Sequence, residues 1–214
     1  MIEAFLFDLD GTLVTMEFDV LLLRQEISQI FEKYGISNYT FTKPLLESLA
    51  EIEIMLQRKG IDPSPCRKEV LELIERREEE GSERTKPIPG AQEFLSYLKQ
   101  RGYKIAVVTR TNRHSAQISL QRSGLAPYVD VLFSRGDVEN IKPHPTHLLR
   151  AMEHLGVEPQ RCVMVGDHAM DIEVGRTVGC ITVGVLSGTG TLESLKGADY
   201  LVKTVPEMKA ILKI

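Results

Sequence analysis

The stretch FLFDLDGTLV, residues 5–14, joins an apolar run to two carboxylates, a glycine and a threonine. The run has the composition of a short buried strand, and Asp8 falls where that strand would end. A lone carboxylate is costly to bury there unless it meets a cation or hydrogen-bond donors. Asp8 and Asp10 are so close that they repel each other unless they share a metal ion or a proton. The stretch therefore predicts a reactive strand end, with a turn-capping role for Asp8 as the alternative.

The second half of the chain alternates strand-like and helix-like segments. Residues rich in β-forming types recur in YKIAVVT (103–109), VDVLFS (129–134), RCVMVGD (161–167) and CITVGV (180–185), with a weaker run near residue 200. Segments of helical period lie between them, and most end at a glycine. This alternation is typical of a parallel α/β sheet, in which ligands bind at the carboxyl ends of the strands. We therefore predict an α/β fold with a parallel sheet.

Residues 15–87 interrupt this alternation because they contain no strand-like run. They carry three helical patterns of apolar residues instead: Leu23, Ile27, Ile30 and Phe31; Leu45, Leu49, Ile52 and Leu56; Val70, Leu71 and Ile74. We predict a catalytic core over 1–14 and 88–214, with an all-helical domain over 15–87 inserted after the first strand. The charged run at 75–90 lies where the chain would return to the core, and we interpret it as a solvated helix end in preference to a linker.

Composition excludes several classes of protein. The chain has 214 residues and a formal net charge of -4, which gives no basic surface for nucleic acid. No window approaches the roughly 20 apolar residues of a membrane span, so we expect no membrane partner and a cytoplasmic location. The odd number of cysteines, without metal-type spacing, favours buried thiols over disulfides.

Four further polar residues follow the later strands. The hydroxyl of Thr109 would lie beside free backbone N–H groups that suit a phosphate oxygen. Lys142, in the loop IKPHP, could hold a phosphate against Asp8. Asp167 and Asp171 are spaced i and i+4 in GDHAMD, and carboxylate oxygens suit Mg²⁺. Each residue alone also has an ordinary explanation as a strand-end, surface or helix-capping residue.

Two other polar features are assigned structural roles. The histidines at 144, 147 and 154 lack other metal ligands nearby, so we expect them to be solvated or to cap helices, while the role of His168 stays open. LSGTG at 186–190 is expected to be a plain turn, because it lacks the Gly-Lys-Ser/Thr ending of a phosphate-binding loop.

Taken in order, these motifs resemble the haloacid dehalogenase-like hydrolases, in particular their phosphatase branch. DLDGT is similar to the first family motif, Thr109 to the second, Lys142 in KPHP to the third and GDHAMD to the fourth. The resemblance covers nearly the whole chain and implies a Rossmann-like core with helices on both faces, Mg²⁺ dependence and an aspartyl-phosphate intermediate. The insertion resembles the helical cap of phosphoglycolate phosphatases and sugar phosphomutases.

Two residues refine the resemblance. Asp10 favours the phosphatase branch, because true dehalogenases lack this acid and the metal. Arg110 stands where many members have asparagine, a departure that concerns the local phosphate contacts.

The predicted reaction is Mg²⁺-dependent hydrolysis of small phosphate monoesters. Asp8 attacks phosphorus, and Asp10 protonates the leaving oxygen and later deprotonates water. The predicted catalytic residues are Asp8, Asp10, Thr109 and Lys142. The predicted phosphate-binding residues are Asp8, Thr109, Arg110 and Lys142. The predicted metal-binding residues are Asp8, Asp167 and the backbone carbonyl of Asp10. Asp171 is predicted to support these ligands without binding the ion directly.

Two other functions remain open at this point. A sugar phosphomutase would use the same pair of aspartates but return the phosphoryl group to a second hydroxyl. A non-catalytic binding protein on the same fold is the other alternative. The expected partner is a small phosphorylated metabolite. The protein itself is expected to be a monomer or a homodimer. Substrate choice is assigned to the helical insertion, with Glu17, Phe18 and Arg24 as candidate contacts.

Overall fold

The structure is a computed structural model that describes residues 1–17 and 19–214, so the candidate contact Phe18 lies outside the described residues. The chain forms two compact units, one made of Met1–Glu17 and Ser82–Ile214 and the other of residues 18–81. These limits lie close to the boundaries expected from the sequence. The assignment of the units as catalytic core and cap domain stays a prediction.

The first unit is built on a parallel sheet. In the described residues its strands are β1 (Ala4–Phe7), β2 (Lys104–Val108), β3 (Val131–Phe133), β4 (Cys162–Gly166), β5 (Ile181–Val185) and β6 (Tyr200–Val202). Every neighbouring pair is parallel, and the strand order is β3-β2-β1-β4-β5-β6. The predicted α/β fold with a Rossmann-like parallel sheet is confirmed.

Helices account for much of the remaining chain. In the described residues they are α1 (Val20–Lys33), α2 (Leu45–Arg58), α3 (Ser64–Ser82), α4 (Ala91–Gln100), α5 (Arg113–Arg122), α6 (Thr146–Leu155), α7 (Ala169–Val178) and α8 (Met208–Leu212). The same described residues also include short 3-10 turns at Ala126–Tyr128, Pro159–Arg161 and Val205–Glu207.

The sheet is covered by helices on both faces, as predicted. Successive side chains of a strand point to opposite faces, so β1 contributes to two separate apolar cores. Phe5 and Phe7 join one core with residues of α4, α5 and α8, and Phe94 of α4 packs edge-on against both rings. Ala4 and Leu6 join the other core with residues of α6 and α7. Because β1 is apolar on both faces, it occupies the centre of the sheet.

The second unit consists of α1, α2 and α3 around its own apolar core, which includes Leu23, Phe31, Ile52 and Val70. The three helical patterns are therefore confirmed. The first part of the charged run at 75–90 is a helix end, as expected, because α3 continues to Ser82. The Arg and Glu residues of this run favour a helix and pair with each other, as Arg77 does with Glu80 at 2.7 Å.

Two expectations from composition can be compared with the structure. All three cysteines are free and buried. Among residues 1–17 and 19–214, no helix is long and apolar enough to cross a membrane.

Candidate active site

The carboxyl ends of β1, β2 and β4 bring the predicted site residues to one edge of the sheet. Phe7, the last residue of β1, pairs with residues of β2 and β4 on its two sides. Asp8, Thr109 and Asp167 directly follow these three strands. The Asp8 N–H donates to the carbonyl of Val165 at 2.9 Å, which extends the strand geometry to Asp8.

Residues 9–14 form a tight turn after β1. The carbonyl of Leu9 accepts from the N–H of Leu13 at 2.9 Å and from that of Val14 at 3.1 Å. Gly11 has φ of 80°, a left-handed conformation that favours glycine. A Cβ at Gly11 would lie 2.6 Å from Oδ2 of Asp167, so a side chain here would also displace that carboxylate.

Asp8, Asp167 and Asp171 form an acidic cluster whose oxygens can lie within 4.8 Å of one another. Asp167 is 3% exposed and Asp171 is 1% exposed, so water screens their charges poorly. Burial raises the pKa of Asp167, and the nearby charge of Asp8 raises it further. A divalent cation would neutralise this repulsion, and clustered carboxylate oxygens are ligands that Mg²⁺ prefers. The donor set therefore fits a hard divalent cation.

Lys142 lies between two of these carboxylates. Its Nζ donates to Oδ1 of Asp8 at 2.8 Å and to Oδ1 of Asp171 at 2.7 Å. Burial alone would lower the pKa of Lys142, but the charges of Asp171 and Asp8 raise it above its usual value. Burial raises the pKa of Asp171 to about 6, against the opposing attraction of Lys142. The lysine is therefore a fixed positive charge beside Asp8.

Both carboxylate oxygens of Asp171 are bound by donors of the chain itself. Oδ1 accepts from Lys142, and Oδ2 accepts from the N–H of His168 at 3.2 Å, which caps the start of α7. This arrangement suits a residue that fixes Lys142 and supports the metal ligands without binding the ion directly. The assignment of Asp171 to the metal site stays a prediction.

Asp167 is held by residues that the sequence did not single out. Its Oδ2 accepts from the N–H of Thr189 at 2.7 Å, and its Oδ1 accepts from the hydroxyl of Thr12 at 3.2 Å. A Cβ at Gly188 would lie 2.1 Å from Oδ2 of Asp167. Residues 186–190 form a turn, as expected, and this turn also contacts Asp167, which the sequence did not indicate. The glycines were the available signal, since only glycine lets the backbone approach a carboxylate so closely.

Asp10 is oriented by a residue of the loop after β2. The hydroxyl of Thr111 donates to Oδ2 of Asp10 at 2.7 Å, and the Thr111 N–H donates to the hydroxyl oxygen of Thr109 at 3.1 Å. Sequence reasoning missed Thr111, although it lies two residues after Thr109 in VVTRTN. The loop thus connects the predicted acid-base residue with the predicted phosphate-binding threonine.

Arg110 contacts the backbone of the loop that carries Lys142. Its guanidinium donates to the carbonyl of Lys142 at 3.1 Å and lies 3.2 Å from the sulfur of Met170. The structure therefore shows Arg110 supporting the lysine loop, and its direct contact with phosphate stays a prediction.

His147 is the clearest correction among the histidines. It was expected to be solvated or to cap a helix, but it is fully buried, and its Nδ1 accepts from the N–H of Lys142 at 3.2 Å. Position 147 lies on the face of α6 that packs against the sheet, which explains its burial. Burial lowers the pKa of His147 to about 3, and the charge of Lys142 lowers it further.

The candidate substrate contacts of the insertion have structural partners. The carbonyl of Glu17 accepts from Arg84 at 2.9 Å, and the guanidinium of Arg24 lies 5.5 Å from the ring centre of Phe41. Contact of Glu17, Phe18 or Arg24 with a substrate stays a prediction.

The fold and this cluster at the carboxyl end of β1 agree with a comparison of the whole sequence. The sequence profile of haloacid dehalogenase-like hydrolases matches residues 2–179. The chain belongs to this family, and it is a hydrolase of the phosphatase type.

Particular relatives are similar over nearly the whole chain. The pyrophosphatase PpaX of Bacillus mycoides is 31% identical over 214 residues, which covers 99% of this chain and 97% of that protein. A solved structure from Thermotoga maritima, named as a candidate β-phosphoglucomutase, is 29% identical with a TM-score of 0.66 and covers 99% of both chains. A predicted phosphoglycolate phosphatase from Haemophilus somnus has a TM-score of 0.70 at 19% identity, over 99% of this chain and 98% of that one, a likeness of fold.

Proposed function

We propose that this protein hydrolyses small phosphate monoesters and pyrophosphate through an aspartyl-phosphate on Asp8, with Mg²⁺ as its cofactor. The observation that carries the proposal is the position of Asp8, at the end of β1, 2.8 Å from the Lys142 ammonium and within the acidic cluster. Pyrophosphate is included because PpaX proteins are similar over nearly the full length of both chains.

Asp8 is the nucleophile in this proposal. One of its carboxylate oxygens forms a bond to phosphorus as the bond between phosphorus and the leaving oxygen breaks. Water then attacks the phosphorus of the aspartyl-phosphate, which releases inorganic phosphate and restores the carboxylate. Lys142 keeps its proton throughout, since it is held between two acids.

Asp10 carries the proton in both steps. It gives its proton to the leaving oxygen in the first step and takes one from the attacking water in the second. The bond from the Thr111 hydroxyl to Oδ2 of Asp10 supports this role, because a fixed carboxyl can reach both oxygens without reorientation.

Mg²⁺ would be held by Asp8, Asp167 and the backbone carbonyl of Asp10, with Asp171 behind them. When bound, the ion supplies positive charge that neutralises the phosphate oxygens. The close hydroxyl and amide contacts of Thr12 and Thr189 to Asp167 support this proposal, because they fix the direction of its oxygens.

The substrate phosphate would be held by Lys142 and Thr109, with Arg110 bound to the lysine loop. Thr109 is 1% exposed, and its hydroxyl oxygen accepts a hydrogen bond from the Thr111 N–H. The hydroxyl hydrogen of Thr109 is then available to donate to a phosphate oxygen. Lowering the barrier of phosphate-ester hydrolysis by more than about 20 kcal/mol requires several such groups together. We assign the choice of substrate to the helical unit, residues 18–81.

Phosphate release from a panel of substrates tests the proposal. The pure protein is incubated with pyrophosphate, phosphoglycolate and sugar phosphates, first with Mg²⁺ and then with a chelator. We expect free phosphate from at least one substrate, with loss of release in chelator and recovery when Mg²⁺ returns. Full release in chelator would contradict the role of the metal, and no release from any substrate would contradict hydrolysis.

A phosphomutase is the second candidate, favoured by the 29% identity to the Thermotoga maritima structure over 99% of both chains. The same panel separates the two functions. A mutase would convert a sugar phosphate into its isomer while releasing little free phosphate, which is detected by chromatography of the sugar phosphates.

A further inference from the structure

The backbone N–H and the backbone carbonyl of Lys142 are each bound by a side chain rather than by a strand or helix. The N–H of Lys142 donates to Nδ1 of His147 at 3.2 Å, and its carbonyl accepts from Arg110 at 3.1 Å. Lys142 lies in the loop between β3 and α6, and its side chain has four rotatable bonds before the ammonium. The position of the ammonium therefore depends on how firmly the backbone at Lys142 is fixed.

The hydrogen bond determines the tautomer of His147. Because Lys142 donates to Nδ1, that nitrogen carries no proton, and the proton of the neutral imidazole is on Nε2. Burial lowers the pKa of His147 to about 3, so the ring stays neutral and Nδ1 stays an acceptor at ordinary pH. Nε2 is buried and makes no hydrogen bond of good geometry among the described residues, although the nearby backbone of Phe133 and Ser134 raises the pKa of His147 against the effect of burial.

An imidazole is a costly side chain to bury beside apolar residues, because its polar nitrogens lose their contact with water. His147 is fully buried on α6, beside apolar residues such as Leu148 and Ala151. What the imidazole provides there, and a leucine would not, is the acceptor for Lys142. The side chain thus accepts a cost in stability in exchange for fixing one peptide.

We propose that His147 is a positioning residue for Lys142, whose Nδ1 fixes the lysine peptide so that the ammonium stays between Asp8 and Asp171. The consequence for the reaction rests on the proposed function, while the anchoring itself does not. Among the described residues no hydrogen bond joins His147 to Asp8 or Asp10, so His147 acts on the reaction through Lys142.

Two substitutions separate the acceptor from the volume of the side chain. His147→Asn places an amide oxygen close to where Nδ1 lies, and so keeps an acceptor for the Lys142 N–H. His147→Leu has a similar size but no acceptor. His147→Gln carries its amide further from the backbone, near the position of Nε2, so its oxygen cannot take the place of Nδ1. It replaces His147→Leu in the comparison if the leucine variant does not fold.

Amide hydrogen exchange tests the anchoring without any substrate. In protein labelled with ¹⁵N-lysine, the Lys142 amide is expected to exchange slowly in the wild type and in His147→Asn, and at least tenfold faster in His147→Leu. Equal exchange rates in the wild type and His147→Leu would overturn the proposal. Because this readout needs no turnover, it stands or fails independently of whether the wild type releases phosphate.

Turnover tests the consequence for the reaction. A small displacement of a charged group at a reacting centre can lower the rate by about 100-fold, so we expect His147→Leu to reduce kcat by about 10- to 100-fold. His147→Asn should stay within about threefold of the wild type. In a Lys142→Met background, assayed at high enzyme concentration, adding His147→Leu should cause no further loss. Equal loss in the Asn and Leu variants, or a further loss in the Lys142→Met background, would overturn the proposal.

Discussion

The hydroxyl of Thr111 donates to the carboxyl of Asp10 at 2.7 Å and helps to orient it. Thr111→Val keeps the shape of the side chain but removes this donor. We expect kcat for phosphate release to fall about tenfold, because a rotating carboxyl is less often in position to transfer its proton. Thr111→Ser keeps the hydroxyl and is the matched control. Equal kcat in the valine variant and the wild type would show that Asp10 needs no such support.

His147 also makes a prediction about acid stability. Its pKa is about 3 in the folded protein, against about 6.5 in an unfolded chain, so below pH 6.5 the unfolded state binds a proton that the folded state does not. The free energy of unfolding should therefore fall with decreasing pH, by about 2 kcal/mol from this group between pH 7 and pH 5.

Comparison of the wild type with His147→Asn isolates this contribution, because other titrating groups are shared. The difference between their free energies of unfolding, measured in urea at several pH values, should change by that amount as the pH falls. Parallel curves for the two proteins would contradict the depressed pKa.

At the scale of residues, the sequence predicted those with distinctive chemistry in a distinctive order. Asp8, Lys142, Asp167 and Asp171 meet in one cluster because motifs at strand ends share one edge of a parallel sheet. Single threonines and histidines carry no such signal. The roles of Thr111, Thr189 and His147 depend on contacts between distant parts of the chain, which no local pattern reveals.

At the scale of elements, the turn after β5 makes a prediction through its glycines. A Cβ at Gly188 would lie 2.1 Å from the Asp167 carboxylate and 2.8 Å from Cα of Gly11. Asp167 is 3% exposed and cannot move freely, so Gly188→Ala should lower kcat by at least tenfold at saturating substrate. Gly136→Ala, in the loop after β3, is the control, because a Cβ there has no atom within 4 Å. An unchanged kcat in Gly188→Ala would show that the turn does not support Asp167.

The elements themselves were largely predictable, and their ends were less so. The five strong β-rich runs and the weaker one near residue 200 all form strands, since apolar runs between helices are buried in a parallel sheet. The charged run at 75–90 was expected to be a helix end, but its sequence does not show the residue at which the helix stops, which is Ser82. Ion pairs such as that between Arg77 and Glu80 stabilise a helix that carries little apolar periodicity.

At the scale of the whole molecule, metal binding should stabilise the folded state. The acidic cluster exists only when β1 and β4 are paired, so an ion bound there favours the fold over the unfolded chain. At 100 times its dissociation constant, Mg²⁺ would add about 2.7 kcal/mol, which corresponds to roughly 5–10 °C in Tm for a chain of this size. Thermal unfolding measures this shift. A shift of equal size in Asp167→Asn would contradict the assigned ligand set.

The central claim is that the Asp8 carboxylate attacks phosphorus, and the most direct measurement is the steady-state rate of phosphate release by Asp8→Asn in Mg²⁺. An amide keeps the shape of the side chain but is a far weaker nucleophile, so we expect release to fall by at least a thousandfold. Asp62→Asn is the matched control and should keep the wild-type rate, because Asp62 is an exposed residue two positions before α3 whose Oδ1 accepts from the Ser64 N–H at 3.0 Å. Release by Asp8→Asn within tenfold of the wild type would contradict the account.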